Sequence, residues 1–309
     1  MLKVHDDLSE SNGELTTHRF CAPIFVADEF GLLLGDPTAR NELSDTANIR
    51  NGTLTFVSVA GHIYGLTCRH VIEELERRKD AKRNENQEKY GIVTPDEVLA
   101  KLYVPMGNRH IHVNSKFHVV PGDTFTGHSQ DVAIARLSPH LIEVLNKFPV
   151  NSCRATLPEN LDIEGLCGIA TGYPEANRRV APRNELLNDF HISTMYAYAA
   201  FNRLDHSGVR MFGELDQRPD GDNLSGMSGG PIFWSHGDDW GFAGIVYNGR
   251  DIIGTEDAQA NSFLTNPTIW IDGEAISDEK LKEWIKIIPE DEEFLKDGSK
   301  LLYIPEALR

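Results

Sequence analysis

Leu224-Ser225-Gly226-Met227-Ser228-Gly229-Gly230-Pro231 sets Ser228 among three glycines. Glycine lets the backbone turn tightly and aim its N–H groups at a bound carbonyl oxygen, which makes Ser228 a candidate nucleophile. A serine hydroxyl is a poor nucleophile at neutral pH. It needs a histidine to take its proton and a carboxylate to fix the tautomer of that histidine.

Both partner types lie upstream. Tyr64-Gly65-Leu66-Thr67-Cys68-Arg69-His70 is an apolar run that ends on a histidine, where a side chain can reach a cleft. Ser129-Gln130-Asp131-Val132-Ala133-Ile134-Ala135-Arg136-Leu137 puts an acid at the entrance of an alternating strand. Asp123, in Pro121-Gly122-Asp123, is the rival carboxylate, and the apolar run after Asp131 decides for Asp131.

Short strand-like runs recur at 20–26, 53–59, 62–67, 102–105, 116–120, 131–137, 166–171, 191–199, 230–234 and 241–247, punctuated by Gly, Pro, Asn and Asp. This pattern predicts an all-β sandwich or barrel. Residues 72–89 are rich in Glu, Arg, Lys and Gln, which predicts a solvated surface helix inserted between strands, a decoration and not a catalytic element. A second helix is expected from Ser277, with Asp278 and Glu279 in its first turn and Leu281, Trp284, Ile285 and Ile288 at helical spacing, packed across the strands. An acidic run at 290–293 and an apolar one at 301–304 read as a docked tail or a partner-binding extension.

The His, Asp, Ser order and the motifs around it resemble those of chymotrypsin-like (trypsin-like) serine peptidases, of the cytoplasmic bacterial type. Their pattern is Thr-Ala-x-His, then Asp-Ile-Ala-Leu, then Gly-x-Ser-Gly-Gly-Pro. Thr67, His70, Asp131 and residues 226–231 match it, and 52–57 and 244–249 resemble the strand before the histidine and the strand beside the substrate. The likeness runs in order from about residue 20 to about residue 272. It implies two packed six-stranded antiparallel β-barrels with an inserted surface helix and a C-terminal helix. The expected segments are an N-terminal extension at 1–19, a first barrel at 20–152 carrying His70 and Asp131, a second at 153–272 carrying Ser228, and a helix and tail at 273–309.

Carried over residue by residue, the resemblance makes Ser228 the attacking hydroxyl, His70 the general base and Asp131 the orienting carboxylate. The backbone N–H groups of Gly226 and Ser228 would form the oxyanion hole, with Tyr247 and Gly249 beside the substrate. Asp222 stands where trypsin has the acidic floor of its specificity pocket, which would select Arg or Lys. The run 218–223 is equally readable as a solvated turn. Three departures matter. Cys68 replaces an alanine, and Met227 replaces the aspartate that pairs with a freshly cut N-terminus in zymogen-type members. Tyr247 replaces a serine that supports the catalytic aspartate.

Composition limits the alternatives. Hydrophobic residues at 40% and charged residues at 25% fit a folded globule. A net charge of −17 argues against nucleic acid as a partner and favours encounter with basic peptides. No apolar run is long enough for a membrane span and no signal peptide is visible, so the expected location is the cytoplasm. Cys21, Cys68, Cys153 and Cys167 are widely spaced and read as buried free thiols. His110-Ile111-His112 has no third ligand nearby and reads as a solvated loop, and neither a metal nor a cofactor is expected.

Gly226-Met227-Ser228-Gly229-Gly230 also satisfies the Gly-x-Ser-x-Gly elbow of α/β-hydrolases. That fold needs its acid and histidine after the serine, and only His236 follows. The expected function is thus a serine endopeptidase acting on a protein or peptide substrate, gated by a regulatory protein partner or by narrow specificity. The alternative is a catalytically silent peptidase-fold module that binds a peptide or protein.

Overall fold

The computed structural model describes residues 5–11, 13–27, 50–91, 93, 101–106, 109–122, 130–158, 166–182, 188–206, 208–215, 224–251 and 268–289. The architecture is mostly β, in two units, as the motif resemblance implies. The first unit is an eight-stranded sheet of β1 (Cys21–Ala27), β2 (Arg50–Val59), β3 (His62–Thr67), β4 (Lys101–Met106), β5 (Arg109–His112), β6 (His118–Val119), β7 (Ala133–Leu137) and β8 (Val150–Asn151). Its order is β5-β4-β1-β2-β3-β7-β6, with β8 added parallel to β2. Among the described residues it remains a half-barrel with β5 and β6 at its edges.

A separate hairpin pairs β10 (Arg178–Pro182) with β11 (Asn188–Ile192). The second unit closes completely, from β9 (Cys167–Gly172), β12 (Met195–Asp205), β13 (Gly208–Leu215), β14 (Pro231–His236), β15 (Asp239–Asp251) and β16 (Thr268–Ala275). Its circular order is β12-β13-β16-β15-β14-β9.

Strand β2 joins the two units because side chains alternate across a sheet. Leu54 and Phe56 enter a core cluster of the first sheet with Ile24, Leu102 and Ile111. Thr53, Thr55, Val57 and Val59 take the opposite parity. Val57 and Val59 share a cluster with Phe233, Phe242 and Ile245 of the closed barrel.

Three helices frame the sheets: α1 (Arg69–Tyr90), α2 (Pro139–Leu145) and α3 (Asp278–Trp284). Helix α1 buries only Val71, Ile72 and Leu75, and its remaining turns are laced by ion pairs such as Arg78–Glu74 and Lys89–Glu85. It is the expected charged helix, but it starts earlier than the pattern suggested. His70 therefore lies in its first turn and not at a strand end, so the helix does carry a candidate site residue. The reason is that Val71, Ile72 and Leu75 continue the apolar core directly from β3. Helix α3 begins with Ser277 accepting from the Lys280 N–H at 3.2 Å. Leu281, Trp284 and Ile288 pack into the cluster shared by both units, where the N-terminal Leu8 and Leu15 also dock.

Two smaller expectations need correction. Residues 109–112 are strand β5 and not a solvated loop, because Ile111 is fully buried and the backbone pairs with β4. Cys21, Cys68 and Cys167 are buried free thiols, whereas Cys153 is exposed, on a short turn after β8. No helix among the described residues is long and apolar enough to cross a membrane. Asp222, Asp123 and the acidic and apolar runs of the C-terminal tail lie outside the described residues.

Candidate active site

Strand β3 ends at Thr67, and the first turn of α1 presents His70. Asp131 lies just before β7, whose first residue, Ala133, pairs with Thr67. Adjacent strands thus bring the two side chains together. His70 Nδ1 and Asp131 Oδ2 are 2.7 Å apart, and the His70 backbone N–H donates to Asp131 Oδ1 at 3.1 Å. The two contacts fix the carboxylate in the plane needed to hold one imidazole tautomer. The His70 side chain is 48% exposed and that of Asp131 22%, so the ring faces solvent while the acid behind it is covered. Burial pushes the Asp131 carboxyl up. Its hydrogen bonds to His70, the charge of His70 and the nearby Arg69 outweigh that, leaving it below the ordinary carboxylate range.

Ser228 stands in a turn between β13 and β14 that is stitched to the first unit. Its carbonyl accepts the Thr53 N–H at 2.8 Å. Thr53 Oγ1 donates to the Gly226 carbonyl at 2.8 Å, and Thr55 Oγ1 donates to the Gly229 carbonyl at 2.6 Å. Gly226 has φ +99° and Gly229 φ +90°, a region where side chains are strained. A Cβ on Gly229 would come within 2.1 Å of the Thr53 carbonyl oxygen. Met227, between them, is buried in the core of the closed barrel. It anchors the turn by packing, in place of a charge pair. Among the described residues the N–H groups of Gly226 and Ser228 have no protein acceptor, and Ser228 Oγ makes no hydrogen bond.

One atom links the two halves. The Val246 carbonyl accepts the Gly229 N–H at 2.7 Å and the Cys68 thiol at 3.1 Å. Cys68 is two residues before His70 and Gly229 one after Ser228, so the segments that carry His70 and Ser228 meet on β15. Burial, with the charge of Asp131 behind it, pushes the Cys68 thiol well above its ordinary value. Cys68, His70 and Asp131 each offer a donor atom within 4.8 Å of the others, a spacing that could hold an ion. Their present geometry differs from that use. The histidine and the acid are at hydrogen-bond distance, and the thiol keeps its proton on Val246.

Tyr247 is the extra residue of a β-bulge, since the β15–β16 register shifts between Val246 and Asn248. It is half-buried and packs against the first unit's core. Burial, then the carboxylates of Asp272 and Glu274, raise its phenol pKa. Gly249 lies against Leu224, with no room for a side chain. Three contributors had no local sequence signal. The Thr53 and Thr55 hydroxyls hold the Ser228 turn from far upstream. Glu274 on β16 accepts the Asp131 N–H at 3.0 Å, across 143 residues.

No protein-family model matches the chain, and no curated protein matches it. Solved structures do. The chain is similar to the thermostable serine protease AL20 from an extremophilic microorganism, at 12% identity and a TM-score of 0.41, over 87% of this chain and 96% of that one. It is also similar to the protease Anisep from Arthrobacter nicotinovorans, at 11% identity and a TM-score of 0.39, over 87% of this chain and 94% of that one. A third likeness is to a structure described for the coupled folding and binding of the Sesbania mosaic virus VPg protein. It shows 12% identity and a TM-score of 0.36, over 88% of this chain and 98% of that one. Likenesses this distant leave the chemistry to be read from the distances above.

Proposed function

We propose that this chain is a serine endopeptidase that cleaves peptide bonds through an acyl-enzyme, with Ser228 as nucleophile, His70 as general base and Asp131 as its orienting carboxylate. The observation that carries the reading is the 2.7 Å contact of His70 Nδ1 with Asp131 Oδ2 on a segment tied, through the Val246 carbonyl, to the Ser228 turn.

Asp131 leaves Nδ1 protonated, so Nε2 is free to accept. Substrate binding rotates Ser228 Oγ into reach of Nε2, a contact that commonly tightens only in the complex. Oγ then attacks the peptide carbonyl carbon as its proton passes to Nε2. The carbonyl π pair moves onto oxygen, where the unpartnered N–H groups of Gly226 and Ser228 receive it. The imidazolium returns the proton to the departing amine nitrogen as the C–N bond breaks. Water, deprotonated by the same Nε2, then attacks the ester carbonyl, and the imidazolium returns that proton to Oγ as the C–O bond breaks, releasing the acid and regenerating Ser228.

Tyr247 and Gly249 would flank the substrate from β15, and Asp222 would select Arg or Lys. The free thiols Cys21, Cys68, Cys153 and Cys167 suit a reducing compartment, in line with the cytoplasm. Because Met227 is anchored by apolar packing, the turn forms without a liberated N-terminus. Restraint would come from a partner protein or narrow specificity.

A fluorophosphonate probe tests the reading. It should label the wild-type chain, alone or with its partner, and the label should map to Ser228 and vanish in Ser228→Ala. Absence of labelling under every condition would favour the peptide-binding alternative. Steady digestion of casein by the purified chain would argue against gating.

A further inference from the structure

We infer that Glu274 is a positioning residue for the His70–Asp131 pair, its carboxylate reaching from the closed barrel to hold the backbone of Asp131 and so set the pair opposite Ser228. The inference rests on the reading of Ser228 as nucleophile. Asp131 precedes β7, so its N–H has no partner in the strand ladder, which begins at Ala133. Glu274 Oε1 accepts that N–H at 3.0 Å.

The Asp131 carboxylate oxygens bond to His70, with the Cys68 thiol alongside. These bonds make the pair rigid internally, but they cannot fix it relative to the unit that carries Ser228. Glu274 can, because it belongs to that unit. It pairs with Ile245 in the β15–β16 ladder, one residue from Val246, whose carbonyl ties Cys68 to Gly229. Val246 and Glu274 thus form two docking points side by side. One grips the strand before His70 and the other grips Asp131.

The other charged or titratable groups around the pair are the Cys68 thiol, within 4.8 Å of both, Arg69 beside Asp131, and Tyr247 and Asp272 on the Glu274 side, with Arg210 paired to Asp272 at 2.6 Å.

The experiment compares wild type, Glu274→Ala and Glu274→Gln by three readouts: the rate of fluorophosphonate labelling, the far-downfield proton resonance of the His70–Asp131 hydrogen bond, and the melting temperature. Glu274→Ala should label roughly ten- to hundred-fold more slowly, the scale of a small misplacement of reacting groups. Its downfield resonance should weaken or disappear. Glu274→Gln keeps an acceptor oxygen and should restore the resonance and most of the rate. Wild-type rate and resonance in Glu274→Ala, or a glutamine variant no better than alanine, would overturn the inference. Should alanine fail to fold, the glutamine variant decides by the same resonance. Should even the wild type resist the probe, the nucleophile reading fails, while the resonance still tests Glu274.

Discussion

The Thr53 N–H donates to the carbonyl oxygen of Ser228 at 2.8 Å, so a strand of the first unit holds the backbone of the candidate nucleophile in the second. The same threonine works twice more. Its hydroxyl donates to Gly226 O at 2.8 Å and accepts the Tyr173 N–H at 3.2 Å. Thr67, three residues before His70, donates to the Thr53 carbonyl at 2.9 Å. A continuous path of short polar contacts therefore runs from the segment of His70 to the turn of Ser228.

Thr53→Val should break that path. Valine is nearly isosteric but leaves the buried Gly226 carbonyl and Tyr173 N–H without their partner, at about 1–3 kcal/mol for each stranded group. Chemical denaturation should show the loss, and fluorophosphonate labelling should slow with it. Thr53→Ser should recover both. Equal stability of the valine and wild-type chains would show that the hydroxyl is dispensable.

Gly226→Ala should damage the proposed oxyanion site. A Cβ there would lie 2.3 Å from Asn51 Nδ2 and 2.5 Å from the Tyr173 carbonyl oxygen, at a φ that disfavours any side chain. The turn must shift, and its N–H with it. A lost oxyanion donor costs about 10²- to 10³-fold in turnover, and the labelling rate should fall on that scale. A wild-type rate in this variant would remove the Gly226 N–H from the proposed site.

Acid sensitivity should trace in part to His112. Burial, with Lys101 and Lys79 nearby, lowers its pKa from 6.5 to about 4. The unfolded chain therefore takes up the proton first as pH falls. Stability from the neutral imidazole is complete above about pH 6.5 and declines as pH drops toward about 4. Melting temperatures of wild type and His112→Gln should converge, or cross, across that window. Parallel curves would contradict the assignment.

Much of this was legible in the chain because strand alternation and the three motifs are local signals. β2, β3, β7, β9 and β14 fall close to where the apolar runs place them. β13 and β16 are hidden by their glycines, which read as breaks. In the fold those glycines permit close approach. A Cβ on Gly213 would meet the Tyr198 carbonyl at 2.1 Å, and one on Gly273 would meet Ile232 Cδ1 at 2.4 Å. His112 shows the same limit, since only pairing with β4 turns its polar stretch into a strand. At the site, His70 and Asp131 are named by motif, and their contact is found in the structure. Glu274 and the Thr53 hydroxyl are invisible until the chain closes on itself, because nothing near them in sequence marks them.

The central claim is that His70 and Asp131 act as one relay on Ser228, and a double-mutant cycle on the labelling rate tests it most directly. Groups that act as a unit lose their effect together. His70→Ala should slow labelling of Ser228 drastically, and adding Asp131→Ala to it should cost almost nothing more, although Asp131→Ala alone is strongly impaired. Losses that multiply in the double variant, or an Asp131→Ala chain as reactive as wild type, would contradict the relay.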